Sequence, residues 1–508
     1  MQEPGKGGET GLRIARAGFI QFLAQIVTLG TGLLFVTLVT RNLSVSEFGI
    51  WQLVGSATGI ALLPSLGITF WGMRGVARGE DLGKTSVIAA SMTVPLAFII
   101  FLAVSTGVGS RVEILGVVVV AGLLQLPFMA LYEGLKGTVQ ATRPTIMGYA
   151  NIPFELAKVA VAYYLVVVLK IGLQGAILAL VAAYAAQDLV MFYGVRDKLR
   201  GRLDLRKTLE WIKASWVPLL NSGVSRLWST DAIMVALVTG SAEPIGLFQG
   251  ARVFTAIIAY SEIFLRVLYP KLIRDRLGTD VGVAFRLQTL LEVPMAVGAF
   301  VLAEDLLSVL GQNYLGSASI LRLLAIVTVV ESTEHVMYFV LYGAERADSG
   351  ARGHSFKSLR SSWLVKLPML DFTKSALYLS LLGLLLYFLA TPTAPQSVAL
   401  IWGIAYGITV IPYTILKVYY ARKFFPHKLP LREIAIYLLS GIVMGISLLF
   451  IRGPPPDQGS TAIQSILRMG YLVGLGALVY FGTVFVLDPS FRNMMKQIGR
   501  IRSSAQAS

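Results

Sequence analysis

IAIYLLSGIVMGISLLFI, residues Ile434–Ile451, runs for 18 residues without a charged side chain. Coiled as a helix it reaches about 27 Å at roughly 1.5 Å per residue, close to a hydrocarbon core about 30 Å thick. A barrel strand would alternate apolar and polar residues over about ten positions. This run does not alternate, so it reads as a membrane-crossing helix whose backbone hydrogen bonds close within the segment. Working outward, comparable runs occur at 18–40, 49–71, 86–108, 114–132, 146–169, 172–193, 214–239, 245–269, 288–310, 319–342, 372–390, 398–419 and 464–487. The reading is an all-α polytopic membrane protein with fourteen spans.

Composition agrees. The 508 residues are 55% apolar and 14% charged, with a mean hydropathy of +0.70. A soluble chain carries roughly 25% charged residues, so a soluble enzyme, a coiled coil and a disordered tail protein are excluded. The net charge of +16 would suggest nucleic acid in a soluble protein. Here 34 of the 44 cations fall in alternate connections, four in the others and six within spans. The basic connections include 196–213, 266–286, 346–366, 417–432 and the tail 492–502. One missed or invented span would scramble this alternation. The positive-inside rule therefore puts both termini on the cytoplasmic side of the cell membrane, with no nucleic-acid partner. Met1–Arg16 is polar and leads directly into a long first span, so no cleavable signal peptide is expected. The chain has no cysteine, and only His335, His354 and His427 for imidazole. No metal site or other cofactor is expected.

Two local patterns add organisation. Leu205, Leu209, Ile212 and Trp216 recur at helical spacing among the cations of the central connection, which reads as a helix lying in the cytoplasmic interface. Phe356, Leu359, Trp363 and Leu367 show the same spacing. Leu38-Val39-Thr40 followed by Phe48-Gly49-Ile50-Trp51-Gln52 is echoed by Leu237-Val238-Thr239 followed by Ile245-Gly246-Leu247-Phe248-Gln249. Both copies follow an odd number of spans, so the repeat is parallel, as in transporters built from two six-helix halves.

The run Leu43-Ser44-Val45-Ser46-Glu47-Phe48-Gly49 resembles the L-S-x-x-E-[FY]-G signature of polysaccharide flippases in the multidrug/oligosaccharidyl-lipid/polysaccharide exporter superfamily. Ile245–Ala251, Leu268-Tyr269-Pro270, Gly311-Gln312-Asn313-Tyr314 and Leu321-Arg322-Leu323-Leu324-Ala325 resemble further phrases of that family, in order. The resemblance covers nearly the whole chain. It implies two six-helix bundles in a V, residues 1–212 and 213–424, with two extra helices and a basic tail in 425–508. It also implies transport of polyprenyl-diphosphate-linked oligosaccharide across the cytoplasmic membrane by alternating access, with no enzymatic step.

Such a carrier needs a wet polar chamber, since each unpartnered hydroxyl moved into hydrocarbon costs roughly 4–8 kcal/mol. Polar groups inside spans are the candidates. Gln21, Gln25 and Thr28 share one face of the first span. Gln52 and Ser56 open the second, and Gln249 is the repeat counterpart of Gln52. These line a chamber or join helices. Arg226 and Arg252 suit a diphosphate, through guanidinium's bidentate geometry, or a structural pair. Asp231 is a candidate partner for Arg226 and a candidate ion-coupling group. Glu155 and Lys158 read as a mutual pair. Glu331, Glu334 and His335, at i, i+3 and i+4, can crowd one face as a proton or sodium carrier, or Glu331 and His335 can satisfy each other.

Membrane lipids, the lipid-linked glycan and Na+ or H+ are the expected partners of what reads as a monomer. No ATP-binding motif is present: Gly79–Thr85 is one residue too short for a P-loop and has no preceding strand. Two rivals differ in kind. A drug/cation antiporter of the same superfamily usually has twelve spans and an acidic chamber. A membrane glycosyltransferase or polymerase needs acids on a sizeable outer loop, and the outer loops here are short.

Overall fold

In a computed structural model of the chain, the described residues are 28–216, 218–219, 227–262, 278–345, 362–390, 394–426, 429–454, 461–493 and 495. Among them every regular element is helical. Each of the fourteen apolar stretches overlaps a helix. We label these helices α1 (28–42), α2 (Val45–Ala61), α3 (Leu63–Ala77), α4 (Gly83–Ser91), α5 (Val94–Gly109), α6 (Gly116–Thr142), α7 (Thr145–Ala162), α8 (Leu173–Val195) and α9 (Leu205–Ala214). They continue with α10 (Asp231–Thr239), α11 (Glu243–Ala259), α12 (Gly278–Val301), α13 (Ala303–Leu310), α14 (Ala318–Ala344), α15 (Trp363–Leu389), α16 (Pro395–Phe424), α17 (Leu431–Ile451) and α18 (Ala462–Leu487). Ten spans among the described residues are long and apolar enough to cross a membrane; the α2–α3 pair, bent by 50°, makes an eleventh if taken as one. Pro64 opens α3 at that bend, where its missing N–H and fixed φ suit the first turn of a new helix.

The contacts divide the chain into two compact units. The described residues of Val27–Gln249 and Pro368–Ala405 form one, and those of Gly250–Leu367 and Tyr406–Ser508 form the other.

In the first of these units the repeated phrase has a geometric meaning. Ser44 caps α2: its hydroxyl accepts from the Glu47 amide at 3.2 Å, and the Glu47 carboxylate accepts from the Ser44 amide at 2.8 Å. That capping box satisfies two of the donors a helix start leaves open. In the second copy Ser241 accepts from the Glu243 amide at 3.2 Å. A Cβ on Gly49 would lie 1.9 Å from the Ala242 carbonyl oxygen, and one on Gly246 would lie 2.1 Å from the Val45 carbonyl oxygen. Each glycine thus meets the backbone four residues before its counterpart. The two copies cross reciprocally, as two related hairpins facing one another would.

A helix forms over the central connection, as its spacing predicts. Asp204 caps α9 by accepting from the Lys207 amide at 3.0 Å. Trp211 and Thr208 are buried, and the Trp71 indole donates to the Ala214 carbonyl at 3.1 Å. Leu205, Leu209, Ile212 and Trp216 all face away from the protein, more than half exposed. The similar spacing farther on behaves differently. Trp363 and Leu367 are buried at the start of α15, while Phe356 and Leu359 lie outside the described residues.

The second unit explains why the ninth span ends earlier than hydropathy suggests. The helix expected over 288–310 stops at Val301, and α13 begins separately with Glu304 and Asp305 in its first turn. Acids there complement the helix dipole, and they collect three arginines. Arg322 of α14 donates to Glu304 at 2.5 Å, and Arg452, at the end of α17, pairs with Glu304 at 3.1 Å. Arg468 of α18 donates to Asp305 at 2.9 Å and to the carbonyls of Arg452 and Pro454. The C-terminal pair is thereby fixed to α13. Close packing continues down α17, where a Cβ on Gly441 would meet the Val293 side chain at 2.6 Å.

Burial pushes the Glu304 carboxyl up, but the Arg322 hydrogen bond and the charges of Arg322 and Arg452 outweigh it, leaving the group below its ordinary value. Burial also raises Asp305, and there Arg468 and Arg452 offset it only in part. A lowered carboxyl stabilises the fold above its unfolded pKa and loses that contribution as pH falls through the folded value. Glu304→Gln should cost about 1–3 kcal/mol at neutral pH by leaving arginine donors short of an acceptor. It should also flatten the acid limb of a pH series of thermal unfolding curves in detergent. An unchanged acid limb would remove Glu304 from the network.

Candidate functional site

The candidates fall into separate settings. Gln21, Gln25 and Arg226 lie outside the described residues. Gln52 of α2 and Gln249 of α11 are both half-buried, as repeat counterparts should be.

In the second unit the structure brings two of the candidates together. Arg252 of α11 is exposed and Glu331 of α14 is half-buried. Both act on Tyr406 of α16, whose hydroxyl hydrogen-bonds Glu331. An exposed guanidinium beside a carboxylate and a phenol can hold an anion and hydrogen-bond hydroxyls. Tyr406 was invisible in the sequence, where one tyrosine in an apolar run carries no distinguishing signal.

The acidic cluster on α14 does not close on itself. Glu331 and Glu334 reach α16 at two different residues, and His335 reaches the turn Tyr260–Glu262. Glu334 binds Lys417 of α16 at 2.7 Å, with both side chains 2% exposed. The Lys417 ammonium also lies 5.4 Å from the Tyr338 ring centroid. His335 contacts Glu262 through Nδ1 at 2.8 Å. Hydropathy groups Lys417 with the cytoplasmic charges; in the fold it is an interior cation.

In the other unit, Asp231 starts α10 and is 4% exposed. Its Oδ1 accepts from the Ala232 amide at 2.7 Å, and its Oδ2 from the Tyr378 hydroxyl at 2.8 Å and the Trp402 indole at 3.2 Å. Aromatic rings seal this carboxylate. Trp402 stacks on Phe248 at 3.9 Å between centroids, and Tyr378 stacks on Trp228 at 4.5 Å. Lys374 lies 5.0 Å from the Trp228 ring. Spacing alone did not find Tyr378 or Trp402 as partners of Asp231, because they arrive from α15 and α16. Glu155 and Lys158 pair at 2.6 Å as read from sequence, and Thr31 donates to Glu155 at 2.7 Å. Phe35 and Phe154 flank the Lys158 ammonium at 5.5 and 5.3 Å.

Among the described residues no three His, Cys, Asp or Glu side chains form a metal-binding group. What the two units offer instead is a set of interior charges held by specific partners, with an exposed Arg252 and a half-buried Glu331 beside the buried Tyr406.

No protein-family model and no curated protein matches the chain. Solved structures do share its fold. One is the lipid II flippase MurJ in an inward closed conformation, with a TM-score of 0.64, 13% identity, and coverage of 94% of this chain and 100% of that one. Another is an inward-facing multidrug resistance MATE family transporter of the MOP superfamily. Its TM-score is 0.56 at 13% identity, covering 79% of this chain and 95% of that one. The chain therefore has the all-helical fold of these membrane transporters.

Breaking the Glu334–Lys417 pair separates a structural role from a coupling role. Lys417→Met should cost about 3–5 kcal/mol by stranding a buried carboxylate, whereas Lys417→Met with Glu334→Leu should recover most of that loss. Thermal unfolding of the purified variants reads the difference. A double variant no more stable than the single one would show that the two groups do not depend on each other.

Proposed function

We propose that the chain is a flippase that moves a polyprenyl-diphosphate-linked oligosaccharide from the cytoplasmic to the outer leaflet of the cell membrane by alternating access. The observation that carries this reading is the extent of the fold match. The lipid II flippase takes in 94% of the chain, the MATE transporter 79%. The C-terminal helix pair, pinned by Arg452 and Arg468, would account for that difference. The signature around Ser44, Glu47 and Gly49 points the same way.

In this reading the spans form two related six-helix halves, 1–212 and 213–424, and the reciprocal crossing at Gly49 and Gly246 is their shared seam. Both termini are cytoplasmic. The headgroup passes through a hydrated chamber while the lipid tail stays in the bilayer. Arg226 and Arg252 neutralise the diphosphate, and Gln21, Gln25, Gln52, Gln249 and Tyr406 replace water around the sugar hydroxyls. An inside-negative potential favours outward movement of an anion by about 2.3 kcal/mol per charge per 100 mV. Asp231, Glu331 and Glu334 are the candidates for added ion coupling. The Ala232 amide, Tyr378 hydroxyl and Trp402 indole that donate to Asp231 suit an anchored carboxylate.

Proteoliposomes carrying a fluorescent polyprenyl-diphosphate disaccharide test this directly, with a membrane-impermeant quencher reading the outer leaflet. The protein should speed equilibration between leaflets, Arg226→Glu should abolish the gain, and Arg252→Glu should reduce it. Equilibration no faster than in protein-free vesicles, together with cation efflux by the same preparation, would favour the antiporter reading. Normal transport by Arg226→Glu would remove that residue from the site.

A further inference from the structure

Glu292 lies midway along α12 and is 3% exposed. It escaped the sequence reading because a single acid in an apolar helix has no spacing pattern. No lysine or arginine among the described residues pairs with it. The side chains that hydrogen-bond it are polar but uncharged. Gln288, one turn earlier and 1% exposed, hydrogen-bonds it through the side-chain amide, and the Gln288 Oε1 has no hydrogen-bond partner. Across the helix interface, Ser332 of α14 is fully buried and contacts the Glu292 Oε1.

The Ser332 hydroxyl settles where a proton belongs. It contacts two acceptors, the Glu292 carboxyl and the Val329 carbonyl, the latter at 2.9 Å. A hydroxyl has one hydrogen to give. If that hydrogen goes to the carbonyl, the contact with Glu292 needs a hydrogen from the carboxyl. A neutral acid completes the chain, from the Glu292 O–H to the Ser332 oxygen and from the Ser332 O–H to the Val329 carbonyl. A bare carboxylate would leave one of these contacts as two acceptors facing each other, with no described lysine or arginine paired to it, which is costly at this depth.

A route outward adjoins the site. The turn Tyr260–Glu262 packs on α12 and α14, and the Glu262 carboxylate is close enough to act on Glu292. Glu262 in turn contacts His335, and their side chains are 24% and 44% exposed. Four of the other acids around α12 are engaged elsewhere. Glu334 is held by Lys417, Glu331 by Tyr406 beside Arg252, and Glu304 and Asp305 by Arg322, Arg452 and Arg468. From α17, the Tyr437 hydroxyl bonds Asp488; Tyr480 comes from α18, and Arg286 lies on α12 itself.

We propose that Glu292 is a proton-binding site, held in the second unit by Gln288 and Ser332 and exchanged with solvent through the Glu262–His335 pair. On release the Glu292 O–H bond breaks and the proton adds to the Glu262 carboxylate. It then passes to the His335 Nδ1, and the imidazole gives up its other proton to water. Loading runs the same steps in reverse. The site stands independently of the cargo.

Infrared difference spectroscopy of the full-length protein in lipid vesicles tests the site, reading the C=O stretch of protonated carboxyls between neutral and alkaline buffer. The wild type should show a protonated-carboxyl band that is lost in Glu292→Gln and kept in the surface variant Glu80→Gln. Ser332→Ala should shift the band by removing its hydrogen-bond acceptor, which keeps the test open even if Glu292→Gln fails to fold. Glu262→Gln should slow hydrogen–deuterium exchange of the band. A band unchanged in Glu292→Gln, or unshifted in Ser332→Ala, would overturn the site. Loss of the wild-type band on adding Na+ would reassign it to an alkali ion, and unchanged exchange in Glu262→Gln would overturn the route.

Discussion

An ion in hydrocarbon must find a partner or lose its charge, and this constraint organises the interior of the protein. Hydrophobic burial cannot hold membrane helices in register, because lipid tails are as apolar as the side chains they would replace. Specific polar contacts between helices carry that burden. Glu155 is bonded by Lys158 and Thr31, Asp231 by Tyr378 and Trp402, Glu334 by Lys417, and the Glu304–Asp305 pair by three arginines. Each set joins helices far apart in sequence except Glu155–Lys158, which lies on one helix and recruits Thr31 from another. Glu292, which no described lysine or arginine pairs with, is held instead by the neutral side chains of Gln288 and Ser332.

The same constraint explains what was legible in the sequence. Hydropathy located the helices because a membrane allows few interruptions. The signature around Ser44, Glu47 and Gly49 was legible because it is local: a capping box and a glycine at a backbone crossing. Its residues shape the fold at that crossing. The phrase that marks the resemblance is thus a mark of architecture. α9 could be read for a similar reason, since its apolar stripe and its flanking cations belong to one short helix.

Partners that come from other helices could not be read. The spacing of Glu331, Glu334 and His335 correctly placed them within a turn or so of one another, yet each turns to a different partner. Lys417 looked like a cytoplasmic anchor because it stands near Arg422 and Lys423, but its long helix keeps it inside. The ninth span was drawn too long because Leu302–Leu310 is apolar enough to continue it; only Arg322 on the next helix, with Arg452 and Arg468 far along the chain, shows why Glu304 and Asp305 begin a separate helix. Tyr378, Trp402 and Tyr406 were hidden because aromatic residues are common in apolar spans and carry no periodic mark.

Taken as a carrier, the protein has rigid, internally paired helices and a small number of groups left more open, Arg252 and Glu331 among them. That division suits a lipid-linked glycan, whose headgroup must be solvated along the way without being held tightly at any one place. The most direct measurement is the leaflet distribution of the lipid-linked glycan in cells after the protein is depleted, read with an impermeant reagent that modifies only outward-facing sugar. The account predicts that one lipid-linked glycan accumulates where the reagent cannot reach it, and that restoring the protein returns it to the outer leaflet. An unchanged distribution of every such glycan would contradict it.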